Sequence, residues 1–600
     1  MASRKKTDTN KKQTYKTAWD FGLFYKNAED PRIEHDVRAA EKACAAFAKE
    51  FAGTPFTAER TSLLKALAAF EKLCAMPEFE RPMRYFGYRK EIDAKDSAAE
   101  KMLNKLSDRL TKAGNLLVFF DLALGAIPKD QQENILADEK FLPYRYYLER
   151  TFLNAKYNLT EAEEKILNLK SLPASQLWVA GTEKILNQKS VRHKGKELPL
   201  MEALNLVSTL PKKERHALWD ASIEVIANMA DVAENEMNAV VLNKKINDEL
   251  RGYAKPYSAT VIGNENSERS IEALVSAVTD RFDISSRFYK LKASMLGEKK
   301  LRYPDKSAPY GKKIAIPFDQ AVDTLREVFY KLDNTYGSIL DQMLERGQID
   351  VYPKKGKSGG AFCASGVNQP TMVLLNQVDD MHSLTTFAHE MGHAVHAERS
   401  KEQPVLYQGH STATAETAST LFENLVFESL LAQLPEKERI TALHGKISDE
   451  VSTIMRQIAF FNYERELHET IREEGSMTKE EMAAMLRTHL KAYLGSHVDV
   501  SEKDGYSFVY VPHFRMFFYV YTYAYGSLVS NVLSERWKQD SSYITKIDEF
   551  LTAGASASPE DIFKSAGLRT DREEFFTTGL SALERKVLEL ERLVKKQKRA

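Results

Sequence analysis

The chain has 600 residues, and 85 Lys and Arg balance 85 Asp and Glu to a formal net charge of zero. Neutrality excludes a globally basic nucleic-acid sleeve and an acidic disordered chain, because both rely on a field of one sign. Hydrophobic residues make up 43%, and only 27 Gly and 19 Pro interrupt them, which points to a large, soluble, mostly α protein.

Taken in chain order, residues 1–18 begin with MASRKKTDTNKKQTYK, which has no apolar core of a secretory signal and is expected to be a disordered basic tail. From Trp19 to about Leu250, apolar residues recur at three and four positions, the period of successive amphipathic helices. Breaks fall near Gly252 and Leu301, and a lobe boundary is placed near residue 200. Between Val351 and Asn376 the glycines 356, 359, 360 and 366 crowd together, and Thr371–Leu375 reads as a short strand; one small sheet is expected here. Helices then resume to the C-terminus. The uncharged stretch Met516–Ser534 carries four tyrosines and is too polar for a membrane span. Cys44, Cys74 and Cys363 are odd in number and have no CxxC spacing, which argues against a disulfide framework and fits a reducing compartment. These features predict a cytoplasmic chain without a membrane or nucleic-acid partner.

Five of the 13 histidines, His382, His389, His393, His396 and His410, fall within 29 residues. Inside this cluster lies H-E-M-G-H, His389 to His393. Residues four apart share a helix face, so both histidines can reach one Zn²⁺ while Glu390 stands beside the open position as a general base. Composition gives only about 0.02 chance occurrences of HExxH in such a chain. Asp379 or Asp380 is suited to cap this helix, and Leu384, Phe387, Ala388, Met391 and Val395 form its apolar side.

A zinc hydrolase needs a third protein ligand. His396 lies seven residues past His389, about 10.5 Å along a straight helix, and is better suited to supporting a ligand or touching substrate. The metzincin pattern fails because Arg399 stands where it requires histidine. Glu416, in the next helical segment, is the expected third ligand. Glu423, two turns further on, can orient a metal-bound histidine or be a plain surface residue. Cys363 is read as a small buried residue, and His382 and His410 either line the cleft or are ordinary polar residues.

HEMGHAVH followed by AETASTLFENL resembles the thimet-oligopeptidase family of zinc metallopeptidases, most closely its oligoendopeptidase F branch. WDFGLFYKNAEDPRIEHDV, SGGAFCASGVNQPTMVLLN and VPHFRMFFYVYTYAYG extend the resemblance over nearly the whole chain. It implies a two-lobed helical ellipsoid with a deep central channel and one small β-sheet near the zinc helix. On this reading residues 19–200 form an N-terminal helical lobe and 201–600 the catalytic domain. One Zn²⁺ per chain is held by His389, His393 and Glu416, and short peptides are the substrates. His513 matches the family's late histidine. Of the alternating Tyr519, Tyr521, Tyr523 and Tyr525, the pair Tyr519 and Tyr523 is favoured for the carbonyl because the two share a helical stripe. His396, His410, Glu423, Gly359 and Gly360 are expected around substrate or metal, and the Thr371–Leu375 strand is expected as a sheet edge that binds extended peptide. A helical zinc carboxypeptidase and a non-catalytic peptide-binding protein with a structural metal are the competing readings. Oligomeric state is left open.

Overall fold

The computed structural model describes residues 15–599. Helices dominate from Arg32 to Arg599, as the periodicity predicts. In Arg32–Phe51, for example, Ile33, Val37, Ala40, Cys44, Phe47 and Phe51 are buried at steps of three or four residues. The largest hydrophobic core runs from Leu186 to Val594. A second core joins N-terminal helices around Phe47, Phe120 and Phe141. A third brings Trp19, Phe24 and Tyr88 onto Met372 and Leu374.

Residues Tyr15 and Lys16, expected to fall within a disordered tail, are packed on the fold. Tyr15 meets Phe318 edge-on at 6.3 Å and lies under the Arg326 guanidinium at 5.0 Å, while the Lys16 N–H donates to the Leu344 carbonyl at 3.2 Å. Residues 1–14 lie outside the described residues. Trp19 then pins the chain to the small sheet, its indole N–H donating to the carbonyls of Gln348 and Val373 at 3.1 and 2.8 Å.

That sheet has three strands in the order Ile349–Asp350, Met372–Leu374, Phe362–Ala364. The first pair is parallel, and the second is antiparallel with Phe362 opposite Leu374 and Ala364 opposite Met372. Two expectations are corrected here. The Thr371–Leu375 strand is central, and the edge beside the motif helix is Phe362–Ala364. Nor is the sheet single: Ser190–His193 pairs with Lys196–Pro199, and Leu301–Arg302 pairs in parallel with Val498–Asp499. The hairpin turns on Lys194 and Gly195, both with positive φ (51° and 77°), and Lys-Gly lacks the Asn or Asp that usually marks such a turn. The parallel pair is two residues long and joins segments almost 200 positions apart, so no local pattern announces it.

The Met516–Ser534 stretch mostly forms a core helix, Tyr521–Gln539, buried at nearly every position from Tyr521 to Ser534. Among the described residues no single helix is long and apolar enough to cross a membrane.

Three helices position the site: the motif helix Met381–Ser400, the glutamate helix Thr412–Gln433 and the tyrosine helix Tyr521–Gln539. The glutamate helix packs between the other two, and a glycine on each side allows it. A Cβ on Gly392 would stand 2.7 Å from the Ser419 Cα, and one on Gly526 would stand 2.8 Å from the Glu416 Cβ. Both distances are below van der Waals contact, and backbone lies behind each. Gly526→Ala is therefore expected to push the Glu416 turn outward and to cost about 1–3 kcal/mol of stability. Thermal denaturation and zinc content would both register it; a variant unchanged in both would show that the helices have slack there.

Candidate active site

The motif helix begins at Asp380, whose carboxylate accepts from the Ser383 N–H at 2.9 Å and the Ser383 hydroxyl at 3.0 Å. Asp379 instead takes a positive φ of 53° just before it. The predicted apolar side is buried throughout, which fixes the opposite face toward the glutamate helix.

On that face the His389 and His393 rings lie 4.9 Å apart. One donor atom from each of His389, His393 and Glu416 falls within 4.8 Å of the others. The His389 Nε2 is 3.5 Å from Glu416 Oε2, while its Nδ1 is 3.1 Å from Glu423 Oε2. The second oxygen of Glu423 accepts from Lys446 Nζ at 2.7 Å. Burial works against the Glu423 charge, but Lys446 and then His389 overcome it and hold the carboxyl down at about 2. A permanently ionised Glu423 fixes the tautomer that leaves His389 Nε2 free to ligate. Burial, with His389 and His410 nearby, pushes His393 down to about 3, so its imidazole stays neutral, the form a metal takes. Two imidazole nitrogens and one carboxylate suit a tetrahedral Zn²⁺ with one position to spare.

Glu390 is 6% exposed and lines a cavity of about 540 Å³ together with Gly360, Ala361, His382, His389 and Glu423. Burial pushes its carboxyl up to about 7; His389 opposes this, Glu416 adds to it, and the Cys363 N–H favours the charge. That hydrogen bond comes from the exposed edge of the sheet, so the Phe362–Ala364 edge and the motif helix face one another across Glu390. The glycine loop is tied to the same wall, since Asn376 donates to the carbonyls of Ser358 and Gly360 at 2.9 and 2.7 Å. Gly360 has a φ of 75° and lines the cavity, whereas Gly359 does not.

His396 does not touch substrate space. It is fully buried, stacked on His410 at 4.2 Å, and neither of its nitrogens has a partner among the described residues. The pair packs behind His393, on which the His410 ring acts.

His513 sits in a short turn of 3₁₀ helix, Pro512–Arg515, with its ring 6.0 Å from that of Tyr523. Tyr519 and Tyr523 do not share a helical stripe, because the helix starts only at Tyr521 after Phe517 and Phe518 take positive φ values of 45° and 61°. Their rings still meet edge-on at 5.4 Å. Tyr521 and Tyr525 are fully buried, whereas Tyr519 and Tyr523 are partly exposed, and Tyr523 is the one whose ring meets His513. Burial and then Tyr519 push the Tyr523 phenol up to about 12, and the charge of Glu416 adds to this. Sequence reasoning missed Lys446: its role depends on a helix that crosses behind Glu423, and an isolated lysine carries no signal of that.

Comparison with known proteins agrees with this geometry. The profile of peptidase family M3 matches residues 208–581, and that of oligopeptidase F matches residues 124–185. Oligopeptidase PepF of Bacillus subtilis is 25% identical over 90% of this chain and 82% of its own. The oligoendopeptidase F homolog of Lactococcus lactis subsp. lactis is 24% identical over 97% and 98%. The fold superposes on the crystal structure of oligoendopeptidase-F from Enterococcus faecium with a TM-score of 0.67, at 19% identity, covering 94% of this chain and 98% of that one. With more than half of its length matched by the family profile and the family's metal-site residue types gathered at one point, the chain belongs to peptidase family M3, on its oligopeptidase F branch.

Proposed function

We propose that the chain is a zinc-dependent endopeptidase that hydrolyses short, unstructured oligopeptides. The observation that carries this reading is the meeting of His389, His393 and Glu416 beside a buried Glu390 that opens on the cavity. The restriction to short peptides rests on the enclosed channel that family membership implies and on the names of the relatives.

When bound by His389, His393 and Glu416, zinc supplies a Lewis acid that brings the pKa of a coordinated water toward neutrality. Glu390 takes the proton from the attacking water and later returns it to the leaving amine. The Phe362–Ala364 edge holds the peptide as an added strand, reading backbone more than side chains. His513 and Tyr523 donate to the carbonyl oxygen as it gains charge, and loss of one such donor costs about 10²–10³ in rate. Tyr519 packs on Tyr523 and fixes the direction of its hydroxyl.

The test uses quenched peptides of mixed length, with and without a chelator, and identifies products by mass spectrometry. Internal cleavage that disappears with chelator and returns with zinc is expected. Chelator-insensitive cleavage, or none from zinc-loaded protein, would overturn the reading.

A further inference from the structure

We propose that a second cavity, adjoining that of Glu390 and walled by Tyr310, Ile314, Met381, Phe427, His444 and Gly445, is a specificity pocket that takes an aromatic side chain of the bound peptide, tyrosine before phenylalanine. The inference rests on the endopeptidase reading and assigns these residues to substrate choice, not to the chemical step.

The cavity holds about 390 Å³. His382, Thr385, Glu423 and Asp449 line both it and the cavity of Glu390, so the two spaces adjoin. Thr385 stands one helical turn before His389, which puts the junction beside the metal site. A peptide lying along the Phe362–Ala364 edge therefore has this pocket within reach of a side chain close to the cut bond. Mostly apolar walls with a few polar groups, around a space of this size, are what a small organic group needs. The Tyr310 and Phe427 rings and the Met381 thioether favour an aromatic guest among apolar ones. Charge does not select: Lys312, Lys313 and Lys446 line the cavity against Asp380, Glu423 and Asp449.

The walls are fixed without a guest. Residues 309–314 are tied to the start of the motif helix, where the Met381 N–H donates to the Ile314 carbonyl at 3.2 Å and the Ile316 N–H to the Asp379 carbonyl at 3.0 Å. On the other side Gly311, with a φ of 82°, lies so close to the helix Glu436–Glu450 that a Cβ would overlap the Thr441 hydroxyl.

Two details of the walls point to a guest. Gly445 sits inside the helix Glu436–Glu450, where glycine is less favourable than alanine. Its φ is not positive, and a Cβ there would meet only the Met381 Cε, at 3.8 Å, an ordinary contact. No neighbouring backbone demands this glycine, as it does at Gly392 and Gly526; what its missing side chain leaves is room in the cavity. The second detail is His444, which is 2% exposed and whose Nε2 is buried without a hydrogen-bond partner among the described residues. Its ring lies 5.8 Å from that of Tyr310 and 5.6 Å from that of Phe288. Burial, then the Lys292 charge, hold it well below the usual imidazole range and so neutral. The hydroxyl of a tyrosine guest supplies the missing partner.

The experiment uses peptides that differ at one residue, Ala, Leu, Phe or Tyr, placed in turn at the two positions on either side of the cleaved bond. At one of these positions kcat/KM is expected to rise in the order Ala, Leu, Phe, Tyr, with Phe above Ala by about tenfold or more. Gly445→Leu, which fills the cavity, should bring Phe and Tyr down to the level of Ala while leaving turnover of the Ala peptide and the melting temperature unchanged. Gly445→Ala alters the helix in the same way without filling the cavity and should keep most of the preference. His444→Phe should bring Tyr down to the level of Phe. Leu or Ala equal to Phe at every position in the wild-type enzyme, or a preference that Gly445→Leu does not move, would overturn the pocket and leave the endopeptidase reading intact. A Tyr preference that survives His444→Phe would strike the part given to His444. Failure to cleave any peptide would remove both readings.

Discussion

Glu390→Gln is expected to lower turnover by about 10²–10⁴-fold while leaving zinc bound, because a carboxamide has the shape of the carboxylate but cannot accept a proton. Three details of the structure make this substitution informative. Glu390 lies outside the His389, His393, Glu416 donor set, so the metal keeps its ligands. It is 6% exposed, so no bulk-solvent base replaces it easily. Burial also disfavours its charged form, and an uncharged isostere should not destabilise the fold. The expected pattern is one zinc per chain, an unchanged or raised melting temperature, and peptide that still binds but is not cut. A variant with more than about a tenth of wild-type activity would move the proton-accepting role to another group.

The parts of this site that were legible in the sequence are those whose geometry is local. His389, Glu390 and His393 lie within one turn of one helix, so their relation follows from the helical repeat. Glu416 and Glu423 lie on the next helix, and the neighbouring of the two helices brings both toward the histidines, while the assignment of Glu416 as ligand comes with the family resemblance. The role of Glu423 depends on Lys446 and His389 arriving at its two oxygens, and only the folded chain shows that. The sheet edge was misjudged for the same reason. Thr371–Leu375 has the better strand sequence, and for that reason it takes the central place, paired on both sides, while the weaker Phe362–Ala364 is left at the edge. The tyrosines present the opposite case. The stripe argument for Tyr519 and Tyr523 used a helix that does not extend that far, yet the backbone reversal at Phe517 and Phe518 brings the two rings together. The second cavity was invisible as well, because its walls come from separate segments that only tertiary structure brings together.

His393→Ala is expected to abolish turnover by a different route, through loss of the metal. With His393 removed, only His389 and Glu416 remain, and two ligands do not hold Zn²⁺ against a chelator. Zinc is expected to fall from about one per chain toward none. Stability separates this outcome from simple unfolding. Zinc bound by the folded chain raises the melting temperature of the wild-type protein by mass action, so a chelator should lower it. In His393→Ala that increment is already gone, and chelator should leave the melting temperature where it was. Since burial keeps His393 neutral, its removal deletes no charge partner, and the variant should melt close to chelated wild type. His396→Ala provides the contrast three residues further along the same helix. That imidazole is fully buried against His410 and lies outside the donor set, so its variant should keep zinc and keep its response to chelator. If His393→Ala retained zinc, or His396→Ala lost it, the histidine assignment along this helix would have to be exchanged.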